Sequence, residues 1–527
     1  MLRRPAAVVA GAEVSSSPRP AEAGSAMQEV TGERAAAIAA PARRATDRAQ
    51  RLGLLLLFAL AAALRLHGAW VAQPLSGYDG PFHATNIGIL LFEGRIPLPH
   101  EGWSTFHPPL YYAISALLWA LLPDDLSPHS VLFALRLLNV LASLSLGWAV
   151  FVAARIALPA RPVAALCAAA VALFLPMEIG PSFLIGNEMF GASLSAWGVA
   201  GMLACLRSDA TRVRLASLGL VLGMGLITKF NTGVVALSAG LAILVQDVRR
   251  RGLVPGALSR AAVLAGLAAL IAGWYFAWNL QLYGRPILMQ NQIVSAFMAK
   301  SGYGPTRPVA DYFSLHPGIL RIDLDTLLFD DPRSGARAAV WPVTFASVWF
   351  DLHSTLMVAP SPPARVAAWI LYACGALWTV LALWGAAHLL RQPRGSPPFV
   401  YGAALSLVIG LTLASYVVFT WRVATFSALK GSYLSPSMLP FCVLAGAGCD
   451  RLVAGGRRIA RAALAVLVGV YVATAMAIFW VGWLAPLPFN PGTFYLRAFS
   501  DASTRRVTDF FMPPDPIGDA LVRPRPR

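Results

Sequence analysis

Charged residues are scarce in this chain: 13% of its 527 residues are Asp, Glu, Lys or Arg, about half the share usual in soluble domains. Lysine is almost missing. It occurs at Lys229, Lys300 and Lys430 alone, and arginine supplies the other 39 of the 42 basic residues. Cysteine is rare as well: Cys167, Cys205, Cys374, Cys442 and Cys449 lie in or at the ends of apolar runs, with no metal-ligand spacing. That excludes a disulfide framework and a cysteine-held zinc site. No Gly-x-Gly-x-x-Gly stands in a strand–helix pattern, and there is no Walker motif and no Gly-x-Ser-x-Gly. Nucleotide-driven transport and serine hydrolysis therefore have no basis in the sequence.

What is present is apolar. Such residues make up 57% of the chain, in runs of about 15–25 from Leu52 to Leu484, the length that crosses a hydrocarbon slab of roughly 30 Å. The fold class expected is all-α, a polytopic transmembrane helical protein. A net charge of +17 would suggest nucleic acid in a soluble protein. Here the basic residues gather in short loops between apolar runs, as topology signals under the positive-inside rule. No basic groove with interleaved aromatics appears, so no nucleic-acid partner is expected.

Arginine clusters at Arg43–Arg51, Arg155–Arg161, Arg207–Arg214, Arg249–Arg260, Arg391–Arg394 and Arg451–Arg461 mark the cytosolic side. About 11 spans follow: 52–72, 131–153, 163–185, 189–206, 215–229, 231–247, 261–282, 366–390, 399–420, 433–450 and 462–484. The apolar stretch 108–122 breaks the parity if it crosses. It is read as a re-entrant or juxtamembrane helix in the first external loop, started by Pro108-Pro109. Residues 1–48 are expected to be a disordered cytosolic N-terminal tail, 49–484 the membrane domain with external loops 73–130 and 283–365, and 485–527 a short extracytoplasmic tail.

The chemistry-bearing residues fall in the outward-facing segments. Asp79 follows the first span by a few residues, inside Gly77-Tyr78-Asp79-Gly80-Pro81-Phe82-His83. A carboxylate beside hydrocarbon suits a general base in a partly dry site, and equally an ordinary turn aspartate. His83 and His107 flank an aromatic loop and have no partner at metal-ligand spacing, so they read as hydrogen-bonded loop residues, with His107 alternatively donating a hydrogen bond to a phosphate. Asn187-Glu188 stands at the outer end of a span, facing a polar cavity or reaching for water. Lys229 lies between two short apolar runs, where it can meet an anionic headgroup or simply punctuate topology. Arg422 and Lys430 bracket the outer turn before Tyr433, on the face where basic residues call for an anion such as a lipid phosphate.

Taken in order, these elements resemble the GT-C superfamily of integral-membrane glycosyltransferases, which includes protein mannosyltransferases, aminoarabinose transferases and oligosaccharyltransferase catalytic subunits. The resemblance covers most of 50–485. It rests on Asp79 in the first external loop, Gly94-Arg95-Ile96-Pro97, and His107-Pro108-Pro109-Leu110-Tyr111-Tyr112. It continues through Asn187-Glu188, Thr228-Lys229, the Asn279 to Pro286 stretch and Lys430 to Pro436. The chain departs from the pattern at Gly80, where many members carry Glu, and in having only Asn187-Glu188 at the second acidic motif.

The resemblance implies a sugar donor on a polyprenyl phosphate and one inverting displacement on the extracytoplasmic side, with catalytic Asp79 and Glu188. His83, His107, Tyr111, Asn187, Lys229, Arg422, Lys430 and Tyr433 would bind substrate. Tyr303, Arg307, Asp311 and His316 would shape the acceptor side. The acceptor is a lipid, glycan or protein. No cofactor is expected; with so few carboxylates a divalent cation has weak support. The implied location is a bacterial plasma (inner) membrane, N-terminus cytosolic. A transporter or lipid flippase is the alternative, and would show inverted repeats and broken helices.

Overall fold

The computed structural model describes residues 48–481 and 511, apart from 78, 100, 103, 208–210, 253–254, 289–305, 316–337 and 351–361. In chain order its helices are α1 (Arg48–Val71), α2 (Gly80–Gly88), α3 (Leu110–Ala120), α4 (Pro128–Ala157), α5 (Pro162–Phe174), α6 (Pro176–Ile179), α7 (Glu188–Arg207) and α8 (Arg212–Leu226). They continue as α9 (Gly233–Arg251), α10 (Pro255–Tyr283), α11 (Val340–Phe350), α12 (Pro362–Leu390), α13 (Pro397–Arg422), α14 (Ser435–Ala454) and α15 (Arg458–Val481). Every regular element described is helical. Among the described residues nine helices are long and apolar enough to cross a membrane. This is a polytopic, integral-membrane, all-α protein.

The remaining expected spans take two special forms. The run 163–185 is not straight: α5 and the Pro176–Phe183 stretch meet at 61°, and together they count as a tenth candidate span. Leu175 adopts an extended ψ of 118°, the conformation favoured before proline, and Pro176 has no N–H to continue the ladder. The run 215–229 is α8, with 15 residues, about 22 Å of rise. Such a rod ends short of a roughly 30 Å slab. As the sequence suggests, 108–122 forms only a short helix, α3, of 11 residues.

Buried cations brace the elements that carry the site. Arg136 on α4 donates to the carbonyls of Ala69, Ala72 and Gln73 at 3.0, 2.9 and 2.6 Å. These are orphan acceptors at the C-terminus of α1, where a cation is favoured, so the chain leaves α1 in a fixed direction. Arg65 ties α1 to α4 and α5 through Ser143 Oγ at 2.7 Å and the Leu173 carbonyl at 2.8 Å. On the far side α14 packs directly on its neighbours: a Cβ at Gly385 or Gly448 would strike the facing backbone of α14 or α12, and one at Gly446 would strike the Ala164 carbonyl. Small residues at such crossings let membrane helices approach closely.

Candidate active site

The segment after α1 folds back on itself. Leu75 and Gly77 have φ of 53° and 97°, and Gly80 lies so close to the Leu75 carbonyl that no Cβ fits. Left-handed positions favour glycine. Asp79 then takes the N-cap position of α2 without capping it by its side chain. Its carboxylate instead meets Lys430, Nζ to Oδ2 3.3 Å. Lys430 sits at the N-cap of the short helical turn Gly431–Leu434, and the Gly431 N–H donates to Ser347 Oγ on α11. Thus α11, inside the stretch read as external loop 283–365, is an apolar helix packed behind Lys430.

A second ion pair faces the first. Glu188 opens α7 and accepts from Lys229 Nζ at 2.8 Å. The turn holding Lys229 is pinned twice: Leu110 N donates to the Ile227 carbonyl at 3.1 Å, and Asn187 Nδ2 to the Thr228 carbonyl at 2.9 Å. The Lys229 stem runs against Gly191, where a Cβ would lie 3.0 Å from the lysine Cβ. Its ammonium lies 5.7 Å from the centre of the Tyr433 ring, within reach of a cation–π attraction. His83 links the two halves of the cleft. Its Nε2 is 3.7 Å from Glu188 Oε2, and its Nδ1 shares a 2.7 Å hydrogen bond with Tyr112 OH.

Asp79, His83, Glu188 and Lys430 line one cleft with Ser76, Gly77, Gly80, Pro181, Leu184, Ile185, Gly186 and Ser432. Its free volume is about 40 Å³, little more than one water's share of the liquid. Burial and the nearby Glu188 push the Asp79 carboxyl up, but neighbouring positive charge, Lys430 foremost, outweighs them and holds it below the usual carboxylate range. Burial lowers His83 and brings His107 down to about 3, so both imidazoles are neutral at physiological pH. Burial also raises Tyr111 to about 12.

The structure brings most of the expected residues together. Asp79, Glu188, His83, Lys229, Lys430 and Asn187 converge, His107 lies with its ring 5.6 Å from that of His83, and Tyr433 lies beneath Lys229. Tyr111 sits behind the cleft: it is fully buried, and its hydroxyl accepts from Gly186 N at 3.1 Å and Asn139 Nδ2 at 3.3 Å. Arg422 ends α13 exposed, outside the cleft lining. Arg307 is buried and donates to the carbonyls of Thr420 and Thr425, with Asp311 Oδ2 at 3.8 Å, clasping its segment to α13. Tyr303 and His316 lie outside the described residues.

Three supporting residues escaped the sequence reading. Tyr112 orients His83. Asn139 on α4 donates to the Leu184 and Gly186 carbonyls at 2.8 and 2.9 Å, setting the turn into α7. Gly186 leaves room for both Glu188 and His83, whose atoms would lie 3.1 and 3.2 Å from a Cβ. Among the described residues no three His, Cys, Asp or Glu side chains converge as a metal cluster would require.

No protein-family model and no curated protein sequence matches the chain. Solved structures do. The Archaeoglobus fulgidus oligosaccharyltransferase in complex with Zn and sulfate superposes with a TM-score of 0.52 and 14% identity, over 88% of this chain and 57% of that one. The same archaeal enzyme, AglB, with an inhibitory peptide and a dolichol-phosphate gives a TM-score of 0.50 and 14% identity, over 88% and 60%. ArnT from Cupriavidus metallidurans, bound to undecaprenyl phosphate, gives a TM-score of 0.49 and 16% identity, over 82% and 76%. The fold is that of the archaeal oligosaccharyltransferase. This chain spans about 60% of the length of the oligosaccharyltransferase it matches.

Proposed function

We propose that the chain is a membrane glycosyltransferase that moves a sugar from a polyprenyl-phosphate donor to an acceptor hydroxyl on the extracytoplasmic side, by a single inverting displacement. The observation that carries this reading is the pair of lysine–carboxylate contacts, Lys430–Asp79 and Lys229–Glu188, facing one cleft. An anionic phosphate draws both ammonium groups toward itself. Asp79 then loses its largest acid-strengthening neighbour, and burial raises its affinity for a proton. It takes the proton of the acceptor hydroxyl as that oxygen attacks the anomeric carbon and the carbon–oxygen bond to the phosphate breaks. The departing polyprenyl phosphate keeps the bond's electron pair, and Lys430 and Lys229 stabilise its growing charge.

Glu188, released from Lys229, is free to accept from sugar hydroxyls, while neutral His83 and His107 donate to sugar or phosphate. Arg422, exposed on the same side, suits the headgroup region above the donor. The donor set does not fit a resident divalent cation: each of the two carboxylates already faces an ammonium, which repels a second positive charge. The dolichol-phosphate held by the oligosaccharyltransferase of the same fold is a lipid of the donor's class. The acceptor is a lipid, glycan or protein. The arginine clusters favour a bacterial inner membrane with a cytosolic N-terminus.

The test is transfer by the purified protein in liposomes loaded with polyprenyl-phosphate sugars, with Asp79→Asn alongside. Transfer should be present in the wild type and fall about 10²–10⁴-fold in the variant. Full activity of Asp79→Asn removes that residue from the mechanism, and substrate uptake without transfer would make the chain a transporter.

A further inference from the structure

A second concavity lies at the other end of the same helices. It is bounded by the C-terminal halves of α7 and α9 and the start of α13, and holds about 590 Å³, within the roughly 300–1,000 Å³ typical of ligand sites. Leu241, Val245 and Phe399 supply an apolar wall, and Arg207, Arg249 and Arg250 line its basic end. Glu188 begins α7 and Arg207 ends it 20 residues later, a rise of about 30 Å. The groove and the candidate active site therefore sit at opposite ends of α7. The groove belongs to the face of the arginine clusters.

We propose that this groove is a specific site for an anionic phospholipid of that leaflet, one acyl chain against the apolar wall and the phosphate between Arg207 and Arg249. Charge complementarity selects the occupant: arginines from two helices line one hollow together with an apolar wall. Among the described residues, the carboxylate adjacent in sequence to the groove residue Gln246 is already paired. Asp247 is fully buried and its Oδ1 accepts from Arg260 at 2.6 Å. Gln246 also lines the groove; its Nε2 is held by the Leu206 carbonyl at 2.7 Å, and its buried Oε1 has no partner among the described residues.

The experiment is native mass spectrometry of the full chain, delipidated in mild detergent and titrated with phosphatidylglycerol, phosphatidylcholine or polyprenyl phosphate. Wild type should retain phosphatidylglycerol at least tenfold over phosphatidylcholine. Each arginine near a lipid headgroup is worth about fivefold, so Arg207→Gln with Arg249→Gln should remove the preference. Val245→Trp, which narrows the hollow at its apolar wall and leaves the charges, should weaken retention. Equal retention of the two phospholipids by wild type would overturn the proposal, as would an undiminished preference in folded Arg207→Gln/Arg249→Gln protein. Preference for polyprenyl phosphate over phosphatidylglycerol would overturn the assigned occupant. The wild-type comparison stands even where a variant fails to fold.

Discussion

At the scale of single residues, the cleft is a balance between burial and neighbouring charge. Lys430 is the strongest influence holding the Asp79 carboxyl low. With the folded value below the unfolded one, the pair stabilises the protein at neutral pH, and that contribution is lost as pH falls through the folded value. In Lys430→Gln, burial acts without its main opponent, so the acid limb of the kcat/KM profile should move to higher pH. A limb that stays put counts against Asp79 as the titrating base. Glu188→Gln leaves the buried Lys229 without its carboxylate and should cost about 1–3 kcal/mol, read as a lowered Tm in detergent. Carboxylates and lysines were legible because they are rare in an apolar chain. Their pairing was not, since 351 residues separate Asp79 from Lys430. Tyr111 and Tyr112 are consecutive on one helix and point about 100° apart. Only the packing decides which one meets His83.

At the scale of elements, the departures from a simple row of spans are the parts that build the site. The bend at Leu175–Pro176 was missed, because 163–185 was read as one plain span despite its proline; the short α8 was visible as a run of marginal length. The packed helix α11 inside a presumed loop was not, because the stretch around it is long and mixed in character. Arg422 was selected by charge alone; its place in the last turn of α13 leaves it exposed. The turn into α7 depends on Asn139, which holds two of its carbonyls. Asn139→Leu removes those donors and should lower stability by about 1–3 kcal/mol, with a Tm shift as readout. Gly186→Ala tests the same turn sterically: its Cβ, 3.1 Å from Glu188 Oε2, displaces that carboxylate. Transfer activity should fall at least tenfold with little change in Tm; unchanged activity would detach this turn from the chemistry.

At the scale of the whole molecule, the helical membrane fold was legible from run length and arginine placement, which depend on the bilayer more than on any tertiary contact. The proposed sidedness has a direct check, because the five native cysteines are buried. A membrane-impermeant maleimide should label Arg95→Cys in intact cells and Arg394→Cys only after permeabilisation. The reverse pattern would invert the topology and place the cleft in the cytosol.

The crowding of that cleft by its own lysines and carboxylates has a functional consequence. On the proposed function, donor binding amounts to an ion exchange, in which one phosphate displaces two internal counterions and frees both at the same moment. Before that exchange the proposed base is held in an ion pair by Lys430. The proposed base would then be released only when the activated sugar is already in place.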